Sequence, residues 1–111
     1  MTLASILVVD SDAAARAQMA AKLRELGHEV SESDNAGAAL AAVRLQQPDL
    51  MICDCILPDL AGVELLSDVR RNEDLKSMRV VMTSANGKSG DVVAALESGA
   101  DDFVGKPLDV A

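Results

Sequence analysis

Aromatic and basic residues are both scarce in this sequence of 111 residues. Phe103 is the one aromatic residue, so the core must be built from leucine, valine, isoleucine, alanine and methionine. Ten lysines and arginines stand against 18 acidic residues, which gives a net charge of −8. Because phosphate backbones are bound by stripes of positive charge, this deficit argues against direct binding of nucleic acid. It favours a divalent cation or a basic partner surface.

Long apolar runs and targeting signals are also missing. No apolar run approaches the roughly 20 residues that a membrane span requires. Met1–Asp10 lacks the basic start and the small-residue cleavage site of a secretory signal. We therefore expect a cytoplasmic protein without membrane contact. A length of 111 residues predicts one domain, 1–111, with a single core.

Cysteine and histidine are too few for a zinc site built from sulfur and imidazole. Cys53 and Cys55 are the only cysteines, and alternation along a strand would place them on one face, opposite Asp54. The single histidine, His28, stands at a predicted turn between a helix and a strand. We expect reduced thiols that pack as small apolar side chains, and a histidine at the surface.

Strands and helices are predicted to alternate along the chain. A strand is expected wherever a short apolar run ends at turn residues or polar residues. The predicted strands are 5–9, a weak edge strand at 29–33, 50–53 ended by Asp54, 79–83 and 102–104. The pattern predicts an α/β fold, a doubly wound parallel sheet of five strands with helices on both faces.

The intervening segments carry apolar residues at helical spacing. Gly27 is expected to end the first helix, and Asn35 to cap the second, which ends before Pro48. Gly99 is expected to end the fourth. The predicted buried stripes are Met19, Leu23 and Leu26; Ala39, Leu40 and Val43; Val63, Leu66 and Val69; and Val92, Val93 and Leu96.

Polar residues follow four of the predicted strands. They are Asp10, Ser11 and Asp12 after the first, Asp54 after the third, Ser84 after the fourth and Lys106 after the fifth. In a doubly wound sheet the carboxyl ends of the strands converge on one crevice. A lone aspartate is most often a helix cap or a turn residue. That interpretation accounts for one acid and not for the whole set.

These residue types together indicate phosphoryl chemistry. Carboxylates that meet in a crevice repel each other, so they imply a cation, and oxygen ligands favour a hard one such as Mg²⁺. A lysine and a hydroxyl facing that cation would neutralise the oxygens of a phosphoryl group. Asp54 is then the predicted nucleophile, which would form an aspartyl phosphate.

The sequence is similar to response-regulator receiver domains of bacterial two-component signalling. The resemblance covers essentially the whole chain: ILVVDSD (6–12), PDLMICDCILPDLAG (48–62), VVMTSA (80–85) and GADDFVGKP (99–107). It implies the flavodoxin-like receiver fold and Mg²⁺ as cofactor. It also implies phosphorylation of Asp54 by a histidine kinase or a phosphotransfer protein. Such a domain is a signalling protein rather than an enzyme, although it can catalyse its own phosphorylation and dephosphorylation.

The resemblance also assigns roles to individual residues. Ser84 would bond the phosphoryl oxygens, and Lys106 would pair with them. Phe103 would turn inward on activation and so alter the face formed by the fourth helix and the fifth strand. The metal would be held by Asp10, Asp54 and the backbone carbonyl of Ile56.

One position departs from the family pattern. The family ends its first strand with two adjacent acids, the second of which touches the metal, and here Ser11 stands at that place. The Ser11 hydroxyl or the Asp12 carboxylate could still reach the ion, although the expected role of Asp12 is to cap the first helix. Weaker Mg²⁺ binding is therefore expected. A receiver-like interaction module that works without phosphorylation is the main alternative.

A remoter alternative is a phosphotransferase of the haloacid dehalogenase type. Val9–Asp12 matches its motif of a hydrophobic residue followed by D-x-D. That enzyme would carry the phosphoryl group on Asp10 and use Asp12 as an acid. This hypothesis leaves Asp54 and its surroundings unexplained.

The family also carries a fifth helix after the Lys-Pro segment, of which Leu108–Ala111 could form about one turn. A truncated helix would expose apolar surface beside the first and fifth strands. We therefore expect the N-terminal part of a longer chain with an effector domain, or a homodimer that buries this face.

Overall fold

Strands and helices alternate in the structure, a computed structural model that describes residues 3–84 and 89–105. The strands are Ser5–Val9 (β1), Glu29–Ser33 (β2), Leu50–Asp54 (β3), Arg79–Ser84 (β4) and Asp102–Gly105 (β5). The helices are Ala13–Glu25 (α1), Ala36–Gln46 (α2), Gly62–Arg71 (α3) and Ser89–Glu97 (α4). Lys106 and the expected truncated fifth helix lie outside the described residues.

The five strands form one parallel sheet in the order β2-β1-β3-β4-β5. The predicted doubly wound sheet is therefore confirmed, and the weak strand β2 lies at an edge as expected. From β1 the chain runs outward to β2 and then returns to pair β3 on the other side of β1. This reversal opens a crevice beyond the carboxyl ends of β1 and β3, where ligands bind in open α/β sheets.

Apolar side chains cover both faces of the central strands. In β1, Leu7 and Val9 belong to the larger core cluster, whereas Ile6 and Val8 belong to a smaller one. Successive residues of a strand point to opposite faces, so this division means that β1 is buried on both sides. The larger cluster also contains Cys53, with Cys55 packed against it; both cysteines are reduced, as expected.

Three details of the predicted surface were wrong. Leu26 is 51% exposed because α1 ends at Glu25, so α1 buries Leu23 of the predicted stripe together with Ala20. His28 lies at the predicted turn but is half-buried. In α4 the predicted buried stripe included Val93 and Leu96, which are three residues apart; Val92 and Ala95 have the same spacing. The structure buries Ala95, whereas Val93 and Leu96 are about half exposed.

Arg70 fastens the end of the sheet opposite the crevice. Its guanidinium donates hydrogen bonds to the backbone carbonyls of Gly99, at 2.8 Å, and Met78. It also forms an ion pair with Asp101 at 3.0 Å, and Asp101 in turn accepts a hydrogen bond from the backbone N–H of Val80. A planar guanidinium with several fixed donors suits such a junction. It joins α3, the start of β4 and the turn before β5.

Helix α3 begins without a side-chain cap. The preceding residue, Ala61, has extended backbone angles and offers no side-chain acceptor, although Glu64 stands three residues further on. Ala61→Ser would complete a capping box with Glu64. We expect the free energy of unfolding, measured in urea, to rise by about 1 kcal/mol. Ala61→Val, which adds bulk without an acceptor, is the control, and an equal gain from both variants would contradict the capping explanation.

Candidate functional site

Three of the predicted site residues meet at the carboxyl ends of the central strands. Asp10 directly follows β1, Asp54 ends β3 and Ser84 ends β4. Val9 pairs with Cys53, so Asp10 and Asp54 are the next residues along neighbouring strands. All three side chains are buried, with relative exposures of 6%, 9% and 1%. The crevice therefore has two sheltered carboxylates and a sheltered hydroxyl at its floor.

Each buried carboxylate is oriented by a backbone N–H two residues further along the chain. Asp10 Oδ1 accepts from Asp12 N at 2.9 Å, and Asp54 Oδ1 accepts from Ile56 N at 3.3 Å. Aspartate side chains commonly fold back on their own backbone in this way at turns. Burying two neighbouring negative charges is costly unless they are compensated. A bound cation between them would offset that cost.

Asp12 is a helix cap, as expected. Its Oδ1 accepts hydrogen bonds from Ala14 N at 3.0 Å and Ala15 N at 3.2 Å, at the start of α1. Ser11 and Asp12 are both exposed, in contrast to Asp10. The cap directs one carboxylate oxygen of Asp12 towards the helix. The carboxylate of Asp12 is thus used to cap α1.

Arg16 places a positive charge beside the acidic crevice. Its guanidinium donates to the backbone carbonyl of Asp10 at 2.9 Å and pairs with Glu32 at 3.3 Å. Arg24 pairs with the same glutamate, also at 3.3 Å. These contacts hold the segment after β1 against α1 and the edge strand β2. Sequence reasoning missed Arg16, whose partner Glu32 is 16 residues away.

Gly62 allows α3 to begin directly against the backbone of Asp54. A Cβ atom at position 62 would lie 2.2 Å from the carbonyl oxygen of Asp54 and 2.9 Å from Cys55 Cα. The N–H of Gly62 donates to the carbonyl of Cys55 at 2.8 Å, and Cys55 N donates to Thr83 O at 2.9 Å. In the sequence, a glycine at position 62 indicates only a break between two elements. Its close approach to another segment leaves no signal in a local pattern.

Asp59 is a second residue that sequence reasoning missed. Its carboxylate accepts hydrogen bonds from Ala36 N at 2.8 Å and Gly37 N at 2.9 Å, at the start of α2. These two backbone N–H groups hold the pKa of Asp59 below its usual value, because they stabilise the charged form. Asp59 lies in the segment that follows Asp54, so this contact reaches from the site to a neighbouring helix.

Two further predicted residues lie within the described part of the chain. Ile56, whose backbone carbonyl is a predicted metal ligand, is 67% exposed. Phe103 is half-buried in β5 and pairs with Met82. Lys106 lies outside the described residues, so its position relative to Asp54 stays a prediction.

The donor atoms in the crevice fit Mg²⁺. Within residues 3–84 and 89–105, no group of three or more histidine, cysteine, aspartate or glutamate residues could hold a metal. The two carboxylates of Asp10 and Asp54 remain, beside hydroxyl and carbonyl oxygens. Mg²⁺ is usually bound through one or two carboxylates and completes its shell with water and phosphate oxygens. The carboxylates of Asp10 and Asp54 are therefore the right type and number of protein ligands for Mg²⁺. The site carries one negative charge fewer than the family pattern.

Comparison with known proteins identifies relatives that match almost the full length of this chain. The family model for the response regulator receiver domain matches residues 6–111. The chain is 35% identical over 104 residues to the phosphate regulon transcriptional regulatory protein PhoB of Pseudomonas aeruginosa. It is 37% identical over 103 residues to the DNA-binding response regulator MtrA of Mycobacterium bovis. These matches cover 94% and 93% of this chain but only 45% and 44% of the relatives, so the chain spans about half of their length.

A solved structure shows the same architecture. The CheY-like response regulator receiver domain protein from Methanospirillum hungatei superimposes with a TM-score of 0.89 at 30% identity. The match covers 97% of this chain and 85% of that one.

Among the described residues, no helix combines the length and the apolar character needed to cross a membrane.

Proposed function

This chain belongs to the response regulator receiver domain family, and we propose that it is a phosphoacceptor switch. A histidine kinase or a phosphotransfer protein would donate a phosphoryl group to Asp54. The observation that carries the proposal is the position of Asp54, which is buried at the carboxyl end of the central strand β3 and next to Asp10.

The proposed reaction is a transfer between two covalent carriers. A carboxylate oxygen of Asp54 forms a bond to phosphorus, while the bond from phosphorus to the imidazole nitrogen of the donor breaks. The metal ligands would be Asp10, Asp54 and the Ile56 carbonyl, with Ser11 at the position of the missing acid. Bound Mg²⁺ would supply positive charge to the phosphoryl oxygens. The N–H of Ile56 already bonds Asp54 Oδ1, so one carboxylate oxygen is held in place before transfer.

Ser84, Lys106 and Phe103 are proposed to convert the new charge into a change of surface. Ser84 is 1% exposed at the end of β4, where its hydroxyl would donate to a phosphoryl oxygen. Lys106 would pair with the same group. Movement of Ser84 would free space for the half-buried Phe103, and β5 and α4 also carry the exposed residues Val93, Leu96 and Val104. The face of α4 and β5 is therefore the proposed output surface.

A second candidate function is a receiver-like interaction module that works without phosphorylation. Ser11 supports it, because the metal site has one acid fewer than the family pattern and Asp12 caps α1. Such a module would bind its partner in the same way whether or not phosphoryl donor and Mg²⁺ are present.

Treatment with acetyl phosphate and Mg²⁺ separates the candidates. We expect phosphopeptide mapping to place the label on Asp54, with acetate released as the phosphorus–oxygen bond of the donor breaks. Asp54→Asn should abolish labelling. Asp74→Asn, at an exposed acid near the amino ends of β3 and β4, should not change it. No label on the unaltered protein would favour the interaction module. A label on Asp10 would favour the haloacid dehalogenase-type reaction.

Family membership also supports three broader proposals. The domain, 1–111, would be the N-terminal part of a longer chain, since it spans about half of its relatives. Its partners would be the phosphoryl donor, a downstream effector domain and a second copy of itself, with no direct contact of this domain with nucleic acid. Its proposed location is the cytoplasm.

A further inference from the structure

The segment between Asp54 and helix α3 is tied to helix α2 by Asp59. One carboxylate oxygen of Asp59 accepts from Ala36 N at 2.8 Å, and the other accepts from Gly37 N at 2.9 Å. The partners are 23 and 22 residues apart in the sequence. The two hydrogen bonds therefore join separate parts of the fold and are not a local turn.

Helix α2 already has its own cap. The side chain of Asn35 accepts from Ala38 N at 2.8 Å, in the usual position for an N-cap residue. Asp59 adds a full negative charge at the same helix end, which the helix dipole and two N–H donors stabilise. Its lowered pKa has these hydrogen bonds as its main cause. The contact adds to the local cap and fixes the segment that carries Asp59.

That segment carries a backbone group of the site. It leaves the sheet at Cys55, whose N–H bonds Thr83 O, and it rejoins α3 at Gly62, whose N–H bonds Cys55 O. Between these anchor points stands Ile56, whose side chain is largely exposed. The segment is held on its inner side by buried Leu57 and on its outer side by Asp59.

We propose that Asp59 is a positioning residue for the phosphorylation site. It braces the segment after Asp54 against the start of α2 and so fixes the Ile56 carbonyl and N–H relative to the Asp54 carboxylate. This inference rests on the proposed function for its consequence, which is Mg²⁺ affinity. The brace itself is independent of that function.

The test compares three substitutions in the 111-residue chain. Asp59→Ala removes the brace, Asn35→Ala removes the local cap of the same helix, and Asp34→Asn removes a neighbouring exposed charge. Calorimetric titration gives the Kd for Mg²⁺, urea unfolding gives stability, and hydrogen exchange reports the N–H of Ile56. We expect Asp59→Ala to weaken Mg²⁺ binding about tenfold, as loss of a group that orients a ligand does. Exchange at Ile56 should also accelerate in this variant.

The controls distinguish positioning from simple helix capping. Asn35→Ala and Asp34→Asn should keep both Mg²⁺ affinity and Ile56 protection, even where Asn35→Ala lowers stability. Asp59→Asn keeps one acceptor oxygen and should be intermediate, which provides a second variant if the alanine variant unfolds. Equal behaviour of Asp59→Ala and Asn35→Ala in all three measurements would overturn the proposal.

Failure of the proposed function gives a different result. If the unaltered protein binds no Mg²⁺ and accepts no phosphoryl group, the proposed function is wrong. Hydrogen exchange at Ile56 then still decides the brace, because it needs neither metal nor donor. Unchanged exchange in Asp59→Ala would overturn the brace under either outcome.

Discussion

Gly62→Ala is expected to lower the free energy of unfolding by more than about 3 kcal/mol. The new Cβ would lie 2.2 Å from Asp54 O and 2.9 Å from Cys55 Cα, and both are backbone atoms that cannot rotate away. Either α3 must start further from the sheet or the end of β3 must move. Domains of this size have a total stability of roughly 5–15 kcal/mol, so the loss is a large part of the whole. Urea unfolding followed by circular dichroism measures it.

Gly105→Ala is the matched control for Gly62→Ala. Gly105 lies in strand β5, and among the described residues no atom lies within 4 Å of a Cβ added there. Its stability should be unchanged or raised by roughly 0.5–1 kcal/mol, because alanine restricts the unfolded chain more than glycine does. In the folded fraction of Gly62→Ala, labelling of Asp54 by acetyl phosphate should also fall. Equal urea midpoints for the two variants would refute the close approach of α3 to β3.

Ser11→Asp is expected to tighten Mg²⁺ binding tenfold or more. Two unit charges about 4 Å apart interact by about 1 kcal/mol in bulk water, and more in a sheltered site, so one added carboxylate suffices for this gain with a divalent ion. Phosphorylation of Asp54 by acetyl phosphate should accelerate in parallel. The metal-free protein should become less stable, because a third acid joins Asp10 and Asp54.

A Mg²⁺ titration of both proteins by calorimetry decides the matter. Ser77→Asp is the control, because it adds the same charge at an exposed position near the amino ends of β3 and β4, where salt screens its effect on the site. This variant should keep the affinity of the unaltered protein. Equal affinities in Ser11→Asp and the unaltered protein would mean that Asp12 or water already fills the place of the missing ligand.

The strands were predictable because their burial is recorded in short apolar runs. β1 and β2 have the predicted bounds, and β3 ends at Asp54 as expected. The convergence of Asp10, Asp54 and Ser84 followed from these ends, since parallel strands in a doubly wound sheet share one carboxyl edge. Phe103 also lies in its predicted strand. The sheet therefore locates the site with little help from the helices.

The helix surfaces and the long-range contacts were harder to predict. Among the described side chains of α4, the small Ala95 is buried in the larger core cluster, whereas the larger Val93 and Leu96 are about half exposed. Neither Asp59 nor Gly62 gave a periodic signal in the sequence. The hydrogen-bond partners of Asp59 are more than 20 residues away, and Gly62 matters because a Cβ atom there would collide with the backbone. The common interpretation of an aspartate as a helix cap is correct for Asp12.

The strand order β2-β1-β3-β4-β5 also has a consequence for biosynthesis. Before β3 (Leu50–Asp54) has left the ribosome, β1 can pair with β2 alone, and a lone pair of strands is marginal in water. The central position of β1 is completed only after β3 emerges. The larger core cluster includes residues from Leu7 to Ala95, so nearly the whole chain must be synthesised before that core can close. We therefore expect a nascent chain that stops before β4 to remain sensitive to protease and to lack a sheltered Asp54.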